Sequence, residues 1–292
     1  MQKTLIFSDL DGTLLDAGSY SFDAALPALD RIRARAIPLI LCSSKTRAEI
    51  EACRQRMRNG HPFIAENGGG IFIPRGYFSA PGEAATVGNY RLIALGTPYA
   101  EIRRRFVALR ERLGARVRGF GDMTAEQVAE LTGLSRDQAS LARQRDFDEP
   151  FVFDGAPDPR FLRAIEGDGL SWTQGRIFHI LGRHDKGRAV EILKALFQQE
   201  SGNIYSIGLG DGLNDLPLLR AVDCPVLIRH EDGSFDARVV MEGLARTRLP
   251  GPQGWNEAVQ RLLGMEAAGY PGEDDCHGLA ARLDTPPEGP GR

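Results

Sequence analysis

Two acidic residues stand directly after an apolar stretch near the start of the chain. Asp9 and Asp11 follow the run LIF in the segment SDLDGTLLD, and Gly12 permits a tight turn after them. Such a run predicts a strand, and open α/β sheets bind ligands at the carboxyl ends of their strands. Two carboxylates this close repel each other unless a cation or a shared proton compensates. The segment by itself predicts a strand-end site of acid–base or metal chemistry.

A second acidic pair repeats this arrangement late in the chain. Asp211 and Asp215 lie in GDGLNDL, after the apolar run YSIGL. Each motif alone is also compatible with a turn that caps a helix. Two acidic strand ends that converge would make an oxygen-rich site suited to Mg²⁺, a hard cation that prefers carboxylates, water and phosphate oxygens. The two motifs together favour a metal site.

Alternating strand and helix patterns surround both motifs. They run up to residue 82 and return after residue 181, which is typical of a parallel sheet with crossover helices. The stretch between them predicts an α+β insert that ends in a hairpin turning at Gln174–Gly175. We therefore expect an α/β fold in which a Rossmann-like core, residues 1–82 and 182–264, carries an inserted α+β cap, residues 83–181.

The composition argues against several classes of partner. The net charge is −3, so no basic excess favours nucleic acid or a membrane surface. No apolar stretch approaches the roughly 20 residues of a membrane-spanning helix, and no secretory signal is apparent, so we expect a cytoplasmic protein that acts on a small molecule. Residues 265–292 are rich in Pro and Gly and predict a disordered tail. The four cysteines are scattered without a CxxC pair and are expected to be free thiols.

Four motifs, in chain order, resemble those of the haloacid dehalogenase superfamily. They are DLDGT, Ser43 at the end of IPLILCSS, Lys186 in HDKGRAV, and GDGLND. The resemblance implies a phosphatase with a Rossmann-like core in which Asp9 is the nucleophile and forms a phospho-aspartyl intermediate. It also implies that Asp11 is the general acid and base, and that Ser43 and Lys186 hold the phosphoryl group.

The same resemblance implies a Mg²⁺ cofactor. Three carboxylates and one backbone carbonyl would hold the ion, and they belong to Asp9, Asp211, Asp215 and Asp11 respectively. Asn214 would orient one of the metal-bound waters. Phosphoryl transfer would then depend on positioning and charge stabilisation.

Further segments are similar to the mannosyl-3-phosphoglycerate phosphatase family of that superfamily. They are SSKTRAEIE, PFIAENGGGIFIP, RDFDEPF, GRIFHILGRHDKGRAV and GPQGWNEAV. The similarity implies hydrolysis of mannosyl-3-phosphoglycerate, or of the glucosyl compound, to the glycosylglycerate and phosphate, a step in the synthesis of the compatible solute mannosylglycerate. The alternatives are a broader sugar-phosphate phosphatase and a catalytically idle binding module. The sequence leaves open the choice of sugar, and the choice between a monomer and a homodimer.

Candidate substrate-binding residues lie just beyond strand ends of the core or in the matching segments of the insert. Such a substrate needs acceptors for sugar hydroxyls and cations for its carboxylate. The candidates are Ser44, Lys45, Arg47, Asn67, Gly68, Arg145, Asp148, Glu149, Arg176 and His179. His179 is compatible with a ligand contact and equally with a hydrogen-bonded position in the core.

Overall fold

The structure, a computed structural model, describes residues 2–79 and 84–264. Within these ranges the strands are β1 (Lys3–Ser8), β2 (Leu39–Cys42), β3 (Phe63–Ala65), β4 (Gly70–Pro74), β5 (Ala85–Val87), β6 (Tyr90–Ala94), β7 (Val117–Gly119), β8 (Asp148–Phe153), β9 (Ser171–Gln174), β10 (Phe178–Leu181), β11 (Ile204–Gly210), β12 (Cys224–Arg229) and β13 (Ala245–Pro250). The tail predicted for residues 265–292 lies outside the described residues.

The helices fall between these strands. The α-helices are α1 (Leu26–Ala34), α2 (Arg47–Met57), α3 (Tyr99–Leu113), α4 (Ala125–Thr132), α5 (Arg136–Ala142), α6 (Pro159–Gly167), α7 (Lys186–Ser201), α8 (Leu216–Arg220) and α9 (Gly251–Leu262). Short 3₁₀ helices are formed by Asp23–Ala25, Glu66–Gly68, Phe120–Asp122 and Leu213–Asp215. In the described part of the chain, no helix is both long and apolar enough to cross a membrane.

The larger sheet has β1 near its centre. Its strand order is β13-β12-β11-β1-β2-β3-β4-β6-β5, and the strands from β13 to β3 are parallel. The chain leaves β1 toward β2 and β3, then returns to β11 on the other side of β1. The crevice at such a reversal of strand order is where open α/β sheets bind ligands. The predicted Rossmann-like sheet is confirmed, and Asp9 follows its central strand.

Helices cover both faces of this sheet, and successive side chains of β1 point to opposite faces and pack against both helical layers. Ile6 belongs to an apolar cluster with residues of α1, α2 and α9, whereas Leu5 and Phe7 belong to a second cluster with residues of α7 and α8. All three side chains are fully buried. A strand buried on both faces is typical of a parallel sheet between two helical layers.

The smaller sheet is antiparallel, with the order β7-β8-β10-β9. One face packs on α3 and α6 through residues such as Phe106 and Phe161, and an apolar cluster that includes Val152 and residues of α4 and α5 lies apart from it. The predicted hairpin is confirmed, since β9 and β10 pair in antiparallel register on either side of Gly175. This sheet and its helices form the α+β unit.

The predicted boundary at residue 82 does not coincide with the division between the sheets. Strands β5 and β6 follow that point, yet β6 pairs with β4 and extends the larger sheet. Tyr90, Leu92 and Ile93 of β6 are partly buried and pack against the core clusters. This short, incompletely buried pattern could not reveal which sheet the two strands join, and backbone pairing of β6 with β4 decides it. The smaller unit begins only after Ala94.

Candidate active site

The two acidic motifs meet at the carboxyl edge of the larger sheet. Strands β1 and β11 are parallel neighbours, and the amide of Asp9 donates to the carbonyl of Leu209 at 2.9 Å. One carboxylate oxygen from each of Asp9, Asp211 and Asp215 lies within 4.8 Å of the others. Gly12 allows this approach: its φ is +75°, and a Cβ there would stand 2.6 Å from Oδ2 of Asp211.

Lys186 is buried between two of these carboxylates. Its ammonium nitrogen lies 2.7 Å from Oδ1 of Asp9 and 2.6 Å from Oδ1 of Asp215. Lys186 is the first residue of α7, where the side chain of Asp185 caps the helix by accepting from the amide of Arg188 at 2.9 Å. Burial lowers the pKa of Lys186, but the charges of Asp215 and Asp9 outweigh it and hold the pKa above its ordinary value.

The carboxylates outnumber this ammonium group. Burial and the charge of Asp215 raise the pKa of Asp9 to about 7, against the opposing effect of Lys186. Burial, Asp215 and Asp9 raise the pKa of Asp211 well above its usual value. One lysine cannot neutralise three carboxylates, so the cluster carries an excess of negative charge that a divalent cation would balance. The all-oxygen donor set fits a hard cation.

Asp215 also orders the loop that presents Asp211. Its Oδ2 accepts from the amides of Asp211 and Gly212 at 3.0 and 3.1 Å. Thr13 donates to Oδ1 of Asp211 at 3.2 Å, and Nε2 of His230 donates to the carbonyl of Asp211 at 2.9 Å. These bonds hold the Asp211 carboxylate beside Asp9.

Asp11 faces a different lysine. Nζ of Lys45 lies 3.0 Å from Oδ2 of Asp11 and 3.5 Å from Oε1 of Glu49. Oδ1 of Asp11 is buried and has no hydrogen-bond partner among the described residues. A capping box between Thr46 and Glu49 starts α2 directly after Lys45 and fixes the backbone at that position. The second carboxylate of SDLDGT is thus held by the loop after β2.

A cavity of about 530 Å³ separates this edge of the sheet from the smaller unit. The candidate residues that line it are Asp9, Asp11, Ser44, Lys45, Arg145, Arg176, His179, Asp211 and Asn214. Ser43 is buried beneath the lining, where its Oγ accepts from the amide of Lys45 at 3.2 Å. Lys186 and Asp215 do not line the cavity themselves. Lys186 contacts Asp9, which does, and Asp215 accepts from the amide of Asp211.

Five candidate substrate-binding residues do not line this cavity. They are Arg47, Asn67, Gly68, Asp148 and Glu149. Arg47 pairs with Glu51 along α2, with 2.9 Å between the charged groups. Glu149 is fully buried in the smaller unit, where it accepts from Tyr99 at 2.8 Å and from the amide of Gly121 at 2.9 Å. Arg47 and Glu149 thus use their charges in internal bonds, and the structure places all five residues outside the cavity lining.

Asp148 instead organises a buried polar network at the junction of the two units. It accepts from Arg145, from Nδ2 of Asn67 at 3.1 Å and from Nδ1 of His179 at 3.0 Å. Burial raises the pKa of Asp148, but Arg145 and His179 outweigh this and hold the pKa below its usual range. His179 therefore lines the cavity and is also held by a hydrogen bond to buried Asp148. The sequence had left open whether this residue contacts a ligand or is hydrogen-bonded in the core.

Glu66 joins the two units by its backbone contacts. Its carboxylate accepts from the amides of Asp146, Phe147 and Asp148 at 2.8, 2.7 and 2.9 Å. Gly68 and the following glycines allow the close packing, since a Cβ on Gly69 would stand 2.4 Å from Cβ of Phe147. The larger sheet thereby holds the start of β8.

Sequence reasoning missed several residues of the cavity wall. From the core these include Tyr20, His230 and Arg238, and from the smaller unit the apolar residues Phe120, Leu131, Leu134 and Ile177. Arg238 donates to Oε1 of Gln174 at 3.0 Å, across the junction. None of them belongs to a recognisable motif, and the apolar residues have the pattern of ordinary core positions. Their role depends on how the two units face each other.

Comparisons with known proteins agree with this fold and site. The family model of haloacid dehalogenase-like hydrolases matches residues 6–77. A protein of Methanococcoides burtonii is 44% identical over 266 residues, which cover 90% of this chain and 98% of the relative. A protein of Persephonella marina is 41% identical over 263 residues, covering 89% and 97%. The chain therefore belongs to the haloacid dehalogenase-like hydrolase family. Both relatives are named glucosyl-3-phosphoglycerate/mannosyl-3-phosphoglycerate phosphatase.

Solved structures share the fold at low sequence identity. A Thermoplasma acidophilum protein superposes with a TM-score of 0.62 at 15% identity, covering 89% of this chain and 98% of its own. A phosphatase of the haloalkanoate enzyme superfamily from Bacteroides thetaiotaomicron gives a TM-score of 0.60 at 18% identity, covering 89% and 95%. The arrangement of both units is therefore shared with proteins whose sequences have diverged widely.

Proposed function

We propose that the protein is a Mg²⁺-dependent phosphatase that hydrolyses glucosyl-3-phosphoglycerate and mannosyl-3-phosphoglycerate to the glycosylglycerate and phosphate. The observation that carries the proposal is the buried contact of Asp9 with Lys186, 2.7 Å apart, beside Asp211 at the base of the cavity. The names of the two relatives, at 44% and 41% identity over most of the chain, supply the substrate.

Asp9 is the proposed nucleophile. One of its carboxylate oxygens would attack phosphorus and form a phospho-aspartyl bond as the bond between phosphorus and the glycerate oxygen breaks. Asp11 would donate a proton to that departing oxygen. Water would then attack the phosphorus of the phospho-aspartyl group, give a proton to Asp11 and release phosphate, which regenerates the Asp9 carboxylate and the protonated Asp11.

Lys186 would stabilise charge during both steps. Its ammonium group already contacts the nucleophile, so it needs no reorganisation as negative charge develops on the phosphoryl oxygens. Asp215 holds Lys186 from the other side, at 2.6 Å. Ser43 and Ser44 close the loop after β2 and would donate to the phosphoryl oxygens.

The residues fit the Mg²⁺ that the family implies. Asp9, Asp211 and the backbone carbonyl of Asp11 would hold it, with Asp215 in the same carboxylate group and Asn214 orienting a water. When bound, the ion would balance the carboxylates against the phosphate charge and polarise the phosphoryl group.

The smaller unit, residues 97–181, would act as a cap that selects the substrate. It supplies Arg145, Arg176 and His179 to the cavity, together with an apolar wall. Cap contacts that exclude bulk water would strengthen the electrostatic interactions inside the cavity.

A substrate panel tests this function. The purified enzyme with Mg²⁺ would be offered glucosyl-3-phosphoglycerate, mannosyl-3-phosphoglycerate, mannose 6-phosphate, glucose 6-phosphate and p-nitrophenyl phosphate, and phosphate release would be measured. We expect the two glycosylated phosphoglycerates to give the highest kcat/KM. Equal or higher values for the simple hexose phosphates would favour a broader sugar phosphatase instead. A complete lack of phosphate release would favour a binding module.

A further inference from the structure

Two buried lysines of the site serve different carboxylates. Lys186 contacts Asp9 and Asp215, whereas Lys45 contacts Asp11, whose Oδ2 lies 3.0 Å from Nζ. Lys45 is only 8% exposed but belongs to the cavity lining. Burial lowers its pKa, and the charges of Asp11 and Glu49 outweigh this and raise it, so the ammonium group stays charged. Positive charge therefore flanks the proposed general acid as well as the nucleophile.

A cation from the cap stands near Lys45. Arg176 lies on the β9–β10 hairpin, lines the cavity and has no ion-pair partner in residues 2–79 and 84–264. One of its guanidinium nitrogens donates to the hydroxyl of Tyr20 at 3.0 Å. An exposed arginine without a carboxylate, on a cavity wall, is available to an anionic ligand.

Tyr20 lies between these two cations. Nζ of Lys45 stands 5.0 Å from the centre of its ring, and its hydroxyl contacts Arg176 and donates to the carbonyl of Thr132 at 3.2 Å. The φ of Tyr20 is +56°, in the left-handed region that a bulky residue adopts only at a cost. The surroundings of the side chain thus compensate an unfavourable backbone conformation, and the result is a corner formed by Lys45, Tyr20 and Arg176.

We propose that Lys45, Tyr20 and Arg176 form a subsite for a carboxylate on the leaving group, so that the enzyme selects phosphomonoesters of acidic alcohols. The inference rests on the proposed function, in which Asp11 contacts the ester oxygen. In a 3-phosphoglycerate ester a single carbon separates the carboxylate from the ester-bearing carbon, so a carboxylate must lie close to Asp11. Lys45 offers a point charge there and Arg176 a planar fork that matches carboxylate geometry.

The subsite also explains how selection depends on the cap. Lys45 and Tyr20 belong to the core and Arg176 to the cap. One anion could therefore contact both cations only when the cap faces the core as it does in this structure. A neutral leaving group would leave Arg176 without a charged partner. The apolar part of the cavity wall, which includes Phe120, Leu134 and Ile177, cannot supply that charge.

The test compares glucosyl-3-phosphoglycerate with its carboxamide, which differs only in the charge of that group. A hydrogen bond to a charged group changes affinity by about 10- to 100-fold. We therefore expect kcat/KM of the wild type to be at least about tenfold higher for the carboxylate than for the carboxamide. Lys45→Met and Arg176→Gln should each reduce the preference about tenfold or more. Arg183→Gln, an exposed arginine two residues after β10, is the matched control and should leave it unchanged.

The ratio of the kcat/KM values for the carboxylate and the carboxamide distinguishes carboxylate binding by Lys45 from an effect of Lys45 on Asp11 alone. If Lys45 served only to hold Asp11, Lys45→Met would lower both rates by the same factor and the preference would persist, which would overturn the subsite. Tyr20→Phe keeps the ring and removes the hydroxyl contacts, and should reduce the preference less than Arg176→Gln does.

Binding of the product supplies a readout that needs no turnover. Calorimetry should show glucosylglycerate binding to the wild type and at least tenfold more weakly to Lys45→Met and Arg176→Gln, while its carboxamide binds all three alike. Equal binding by all of these proteins would reject the subsite even if hydrolysis were observed. A lack of hydrolysis with carboxylate-dependent binding would instead reject the proposed function and retain the subsite.

Discussion

The ammonium nitrogen of Lys186 lies 2.7 Å from a carboxylate oxygen of Asp9, and both side chains are buried. The pair joins the first residue of α7 to the residue that follows β1, 177 positions apart along the chain. The positive charge of Lys186 also stabilises the carboxylates of Asp215 and Asp211, because these groups lie close to Asp9. The contact thus links the proposed nucleophile to the stability of the whole carboxylate group.

Lys186→Met should lower kcat by about 100-fold or more, since a charge-stabilising donor is lost from the reacting group. It should also destabilise the metal-free protein by about 3–5 kcal/mol, because the buried carboxylates of Asp9 and Asp215 lose the ammonium group that contacts both of them. Urea unfolding and steady-state kinetics check both effects. Lys194→Met on the same helix, where the lysine contacts only the carbonyl of Ala221 and the half-exposed Asp223, is the control and should change neither strongly.

Asp9→Asn should abolish turnover, by at least about 1,000-fold, while the protein stays folded. The amide keeps the shape of the side chain but is too weak a nucleophile to form the phospho-aspartyl bond. Phosphate release and circular dichroism would be measured on the same samples. Asp23→Asn, the same substitution at an exposed position, is the control and should change neither. Activity within tenfold of the wild type would remove Asp9 from the role of nucleophile.

Asp211→Asn should make the metal-free protein more stable by about 1–2 kcal/mol, because it removes a carboxylate whose pKa is raised by burial and by repulsion from Asp215 and Asp9. The same change should weaken Mg²⁺ binding by at least about tenfold, since a carboxylate ligand is lost. The shift of the thermal midpoint with added MgCl₂ measures both. A variant that responds to MgCl₂ as the wild type does would place the ion elsewhere.

Glu66→Gln should destabilise the protein by about 3 kcal/mol. The two carboxylate oxygens accept from three backbone amides at the start of β8, and glutamine replaces one of these oxygens with an NH2 group that can only donate. Glu51→Gln removes a carboxylate from the partly exposed pair with Arg47 and should cost less than about 1 kcal/mol. Similar unfolding free energies for the two variants would show that Glu66 is not what joins the units.

His184 should contribute a loss of stability as the pH drops below about 6.5, the unperturbed histidine value, whereas the raised pKa values of Asp9 and Asp211 act in the opposite direction. Burial lowers the pKa of His184, whose Nε2 donates to the carbonyl of Glu66 at 3.2 Å. The unfolded chain then binds a proton more readily than the folded protein does, so acid favours unfolding. When the pH is lowered from 7.5 to 5.5, the unfolding free energy measured with urea should change in a less destabilising direction for His184→Gln than for the wild type. An unchanged difference would contradict this assignment.

The chemistry of the strand ends could be predicted from the sequence because it is local. The run LIF before Asp9 and the run YSIGL before Asp211 indicate buried parallel strands, and each run ends on a carboxylate. Parallel strands present their carboxyl ends at one edge of a sheet, so convergence of the two motifs follows from their type alone. The placement of Lys186 came from the resemblance of HDKGRAV to a known motif.

The tertiary structure alone decided which polar residues face the cavity. Asp148 and Glu149 are adjacent in RDFDEPF, yet one anchors Arg145 and His179 beside the cavity and the other is buried inside the cap. Neighbouring residues of a strand point to opposite faces, and which face meets the core depends on how the units pack. The contacts of Tyr20 with Lys45 and Arg176 likewise join three distant segments. The sequence determined the proposed reacting groups, because these depend on residue type at a strand end, whereas the proposed selecting groups depend on how the smaller unit faces the larger sheet.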